Sequence, residues 1–184
     1  MPAIVSGIAC GPCAIGVAAQ LNAEITFAQT GDLGTAIKGG LISGASAAAF
    51  HAIGTGFADI SAPGRVGVLG TQFTARQLAA KAALHGLVGG VMSQLQGGKF
   101  GNGFTSAFVT QAASGAIGLI DSGNRDFSAS RVIAAAVLGG TVSEISGGKF
   151  ANGAITGAFS RAFNDENDAG SIENRRKLPV YEGD

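Results

Sequence analysis

The chain has 184 residues, no formal net charge, 13% charged residues, 46% hydrophobic residues and 31 glycines. Its mean hydropathy is +0.34. So little charge excludes a disordered polyelectrolyte. A balanced charge with no basic, aromatic-laced stripe excludes a nucleic-acid binder.

From the N-terminus, residues 3–23 hold no Asp, Glu, Lys or Arg. A secretory signal carries a positive n-region, and this run lacks one. It reads as an apolar helix of the mature domain or as the cut edge of a larger protein. Within it stands Cys10-Gly11-Pro12-Cys13, a C-x-x-C string. A dithiol enzyme of that kind needs a strand–helix–strand setting that nine preceding residues cannot supply. The two thiols read as a structural pair, reduced or as a small disulfide. They cannot complete a zinc site by themselves.

Further charge-free runs follow at 39–58, 82–98, 100–120 and 132–143. A membrane span needs about 20 mostly apolar residues. Several of these runs approach that length, although Ala, Gly, Ser and Thr dilute them. His51 and His85 fall inside two of them and read as packed histidines. Neither has an acid at helical spacing, so no catalytic dyad is expected, and a protonation switch is the sharper alternative. The predicted helices are 13–28, 35–56, 73–96, 101–119, 129–146 and 151–163. Residues 59–70 and 121–125 are turn-rich connectors. After Phe163 the chain turns polar, so 1–163 reads as the folded domain and 164–184 as a flexible tail.

An internal repeat organises the middle. GGVMSQLQGGKFGNG begins at Gly89, and GGTVSEISGGKFANG begins at Gly139. The repeat units span 85–112 and 135–162, with a fainter copy at 30–50. Each reads as a helical hairpin, and the hairpins stack into an all-α domain. Gly97-Gly98 and Gly147-Gly148 supply the positive φ of a helix C-cap. Phe100 and Phe150 are expected to drop into the core. Asn102 and Asn152 are expected to cap the next helix. Lys99 and Lys149 read as turn lysines or as interfacial anchors. Gln94 and Glu144 hold matching repeat positions, where an acid would line a polar path or simply face solvent.

Small residues also recur at helical spacing: Gly7/Gly11, Gly40/Gly44, Gly86/Gly90 and Gly153/Gly157. Such pairs let helix backbones approach closely, as they do in lipid. GGKF lacks the spacing of a phosphate-binding P-loop. No nucleophile elbow, zinc-protease string or carboxylate pair appears. The expectation is therefore a non-enzyme with no metal and no cofactor.

The GGKF-x-NG repeats, above all the stretch from Gly139 to Asn164, resemble the C-terminal effector regions of bacterial Rhs-repeat and filamentous-haemagglutinin-like polymorphic toxins. The likeness covers roughly residues 30–166. It implies a secreted tip delivered into competitor bacteria by a type VI or contact-dependent system. It also implies a cognate immunity protein, a parent toxin shell or secretion machinery, and no nucleic-acid partner. Some Gly/Ala-rich tips of this kind resemble membrane-depolarising pore formers. The expected function is pore formation at the target cell's inner membrane, with homo-oligomers as one route. The alternative is a non-catalytic structural or connector module of such a toxin.

Overall fold

Two strings of glycine bend the chain back on itself in the same way. Gly97 and Gly147 take φ of +81° and +83°, the left-handed region where a side chain is strained. After Gly97, the Gly97 N–H donates to the Gln94 carbonyl (3.0 Å) and the Gly98 N–H to the Ser93 carbonyl (2.7 Å). The second copy repeats this, with Gly147 to Glu144 (3.0 Å) and Gly148 to Ser143 (2.8 Å). Both are Schellman closures, which satisfy the last carbonyls of a helix. The hydroxyls of Ser93 and Ser143 then each donate to the carbonyl of the following lysine, Lys99 or Lys149, at 3.0 Å.

These turns sit in a computed structural model that describes residues 11–58, 73–123 and 127–165. Its helices are α1 (Gly11–Thr30), α2 (Leu33–Ala58), α3 (Ala75–Leu95), α4 (Phe100–Ala112), α5 (Ser114–Gly118), α6 (Ala129–Ile145) and α7 (Phe150–Ser160). A 3₁₀ turn, Ile120–Gly123, follows α5, and a π turn, Arg161–Asp165, follows α7. The fold is all-α, with no strand among the described residues. It is three antiparallel hairpins, α1–α2, α3–α4 and α6–α7, each packed chiefly on itself. The second and third are copies displaced by 50 residues. Helix α2 of the first leans on α3 and on the π turn.

The expected helix over 101–119 is broken at Ala113, where α4 ends and α5 begins. The buried Arg161 explains why the break is tolerated, because its Nη1 donates to the Ser114 carbonyl at 3.0 Å. The tail expected over 164–184 lies outside the described residues except for its first two positions, which complete the π turn.

The first hairpin turns differently. Gly31 (φ +66°) donates to the Phe27 carbonyl at 2.7 Å, and Asp32 then starts α2 by accepting the Thr35 N–H at 2.6 Å. The Thr35 hydroxyl, then its N–H, hold the Asp32 carboxyl below its ordinary 3.8. A depressed carboxyl contributes its full stabilisation above 3.8 and loses it as the pH falls through the lower folded value. Thr35→Val should therefore move the Asp32 titration up toward 3.8, as read by carboxyl NMR.

Glycine sets the spacing inside each hairpin. A Cβ on Gly103 would strike the Gly89 carbonyl oxygen and lie 2.5 Å from Ser93 Cβ. Gly153 meets Gly139 and Ser143 in the same way. Gly103→Ala should cost about 1–3 kcal/mol by overpacking. Gly101→Ala, at a helical position with nothing within 4 Å of an added Cβ, should instead stabilise by roughly 0.5–1 kcal/mol. Thermal melts of the two variants should move in opposite directions.

Candidate functional site

Large apolar side chains of this protein face outward. Leu33, Ile37 and Leu41 form one stripe on α2, Leu84, Leu87, Val91 and Leu95 a second on α3, and Ile133, Val137 and Ile145 a third on α6. Leu41 is 70% exposed and Ile145 82%. The interior is the reverse. Its fully buried positions are mostly Ala, Gly and Ser, with Phe50 the one large apolar side chain among the described residues that is completely enclosed. A water-soluble helix hides its apolar stripe and shows its polar face. These helices invert that rule over much of their length.

Cations lie inside. Lys81, Arg131 and Arg161 are buried, with Arg131 only 2% exposed, and Gln111 and His85 are sealed beside them. Each has a partner. Lys81 Nζ sits 5.1 Å from the centroid of the Phe73 ring. His85 Nδ1 lies 2.7 Å from Ser160 Oγ, and its ring is 5.0 Å from that of Phe50. Gln111 Nε2 donates to Ser114 Oγ at 3.2 Å. The backbone N–H of Arg131 donates to Ser128 Oγ as a helix cap, and that hydroxyl donates in turn to Asp121. Lys81 and Arg131 stand 50 residues apart, as do Gln111 and Arg161. The repeat therefore carries its own polar layer. Sequence reasoning missed all four residues, although extending the repeat outward from Gly89–Gly103 pairs them.

The seam between the second and third hairpins is made by the repeat residues. With its amide matched donor to acceptor, Asn102 donates to the Ser146 carbonyl and accepts from the Gly148 N–H, both at 3.0 Å. Asn152 lies beside Gly98 of the other turn. This corrects the expected capping role. The N-caps are Lys99 and Lys149, without side-chain cap bonds, and each Asn sits three residues further in, at the third helical residue. From there it reaches the neighbouring hairpin. Ser106 Oγ adds a buried bond to the Gly139 carbonyl at 2.8 Å.

Other sequence-predicted residues fall as follows. Gly40 and Gly44 pack on Ala19 of α1, and Gly153 and Gly157 on the backbone of α6. Gly86 and Gly90 receive the rings of Phe104 and Phe100 rather than a backbone, and Gly140 receives Phe150. The two phenylalanines thus cover glycines of their own hairpin instead of entering the core, and Phe150 stays 45% exposed. Gly7 lies outside the described residues, and Gly11 opens α1. Lys99 and Lys149 are exposed. Gln94 and Glu144 are exposed too, and Glu144 Oε2 accepts the Phe150 N–H at 3.0 Å rather than lining an interior path. Cys13 is disulfide-bonded. Among the described residues no group of His, Cys, Asp and Glu could hold a metal ion.

Against family models, curated proteins and solved structures, the chain finds no match.

Asn102→Ala should open the seam. It removes the bond to the Ser146 carbonyl and leaves the Gly148 N–H with its Ser143 bond alone, at a cost of about 1 kcal/mol. Chemical denaturation of the purified chain checks this.

Proposed function

We propose that this chain is a membrane-inserting domain, acting as the pore-forming, depolarising effector region of a secreted antibacterial polymorphic toxin. The inverted side-chain distribution carries the reading. In lipid, the apolar stripes of α2, α3 and α6 lose nothing by facing outward, and helices associate through small residues and hydroxyls instead. Glycine-against-carbonyl contacts and the Ser106 bond are of that kind.

Dimensions support it. Between the exposed Arg76 and Lys99, the only charged residue is Lys81, which is buried. Helix α3 has 21 residues, a length of roughly 30 Å and so about one hydrocarbon thickness. The returning chain from Phe100 to Ile120 has no charge at all. Among the described residues one helix, α2, is long and apolar enough to cross a membrane. Ionisable groups at membrane depth face a bundle interior, which is where Lys81, Arg131, Arg161 and His85 lie.

The likeness of the GGKF-x-NG repeats to polymorphic-toxin tips supplies the biological setting: delivery into a competitor, action on its inner membrane, and neutralisation by an immunity protein. Because Asn102, Ser106 and Thr156 fill the seam, a conducting path calls for copies to assemble or for the seams to part. A connector module is the second reading, and the closed seam favours it.

Expression in bacteria with and without an export signal, alongside a membrane-potential dye, separates the two. Depolarisation in one arm, with discrete current steps from micromolar protein in a planar bilayer, is the expected result. Membrane-bound protein with unchanged potential and no current overturns pore formation and leaves the connector.

A further inference from the structure

We propose that the groove where the first hairpin meets the second and third is a phospholipid site, holding a phosphate against its polar residues and an acyl chain against its apolar ones. This rests on the membrane reading above.

The groove, about 380 Å³, opens where the first hairpin's turn end meets the Leu95–Gly97 turn. Its origin is in the sequence. The third residue of α4 and of α7 is an asparagine, which spans to the neighbouring hairpin and fills the seam. The third residue of α2 is Thr35, whose hydroxyl bonds Asp32 instead. Thr35 cannot span, so the seam stays open.

The lining is divided. One side is polar, with Lys38 and Thr35 of α2 facing Asn22 and Thr26 of α1. The other is apolar, formed by Ile42, Leu95 and Ile155. Leu95 and Ile155 are exposed beyond it, and Leu41 and Ile37 flank α2 outside. The Lys38 ammonium with the Asn22 amide suits a phosphodiester, and the aliphatic lining of Ile42, Leu95 and Ile155 suits a hydrocarbon chain. A free anion would use only the first half. The nearest acid, Asp32, does not line the groove, and its carboxylate is occupied by Thr35.

Position fits as well. The glycine turns of all three hairpins meet at one end of the bundle, as the Asn102 bridge and the groove itself show. In the proposed bilayer orientation that end, with Lys99 and Lys149, lies at headgroup level.

The test titrates the full chain with dihexanoyl phosphatidylglycerol below its micelle concentration, followed by backbone amide shifts. Inorganic phosphate is the parallel probe, and wild-type partition into phosphatidylglycerol vesicles is measured separately. Saturable binding is expected, with shifts centred on Thr26, Thr35 and Gly97. Lys38→Ala should weaken it about fivefold, Lys99→Ala less than about twofold, and Lys38→Arg should restore it. Equal loss in Lys38→Ala and Lys99→Ala overturns the site. Phosphate binding as tightly as the lipid overturns the acyl half and hence the proposal. If the lipid fails to bind while the protein still enters vesicles, the groove assignment falls alone. If the lipid binds but vesicles exclude the protein, the membrane reading falls alone.

Discussion

Everything in this fold depends on how near two helix backbones can come. At Gly103 and Gly153 there is no room for even one carbon atom beyond the main chain. That contact brings the two helices of a hairpin together without a layer of large side chains between them. It follows that many of the large aliphatic side chains along these helices face outward. The exposed Leu, Ile and Val stripes are thus a consequence of the glycine faces rather than a separate property. In water such a surface invites association, whereas in hydrocarbon it is the ordinary state of a helix. The same constraint explains what is buried. Between closely spaced backbones only small residues fit, and hydroxyls such as those of Ser106 and Ser160 supply the specific bonds that bulk packing would otherwise provide.

The polar layer has a different logic. Lys81, Arg131, Arg161, Gln111 and His85 gather away from the glycine turns, where the hairpins' open ends meet. They interact with a ring face, a backbone carbonyl, hydroxyls and an aromatic neighbour. Removing one member of such a buried set leaves its partners stranded, which makes these positions intolerant even though a well-packed apolar replacement of the whole set need not be. Their recurrence at the 50-residue offset makes the layer a property of the repeat unit, with Lys answered by Arg and Gln by Arg.

Much of the architecture was readable in the residues. Paired glycines followed by Lys-Phe mark the hairpin turns, because only glycine accepts that φ without strain, and the 50-residue offset gives the two copies. What was not readable depends on neighbours far away in sequence. Asn102 looks like a helix cap because capping is the commonest local use of asparagine near a turn. The helix begins at Phe100, however, and that places the amide at the third helical residue and aims it at another hairpin. Phe100 looks like a core residue because it is large and apolar, yet the glycines at 86 and 90 leave a shallow track along α3 that the Phe100 and Phe104 rings fill. The buried cations were invisible for the plainest reason, since charge is normally read as surface.

The first connection is two residues shorter than the other two, with Gly31-Asp32 standing where the later hairpins have Gln96-Gly97-Gly98-Lys99 and Ser146-Gly147-Gly148-Lys149. The returning helix of the opening unit carries Thr35 at its third residue, where its counterparts carry Asn102 and Asn152, so it offers no amide to clasp another unit. Hairpins built all alike would present an endless adhesive ladder, as uncapped tandem arrays do. The shorter turn makes the opening hairpin, alone of the three described, one that offers no such clasp to a neighbour.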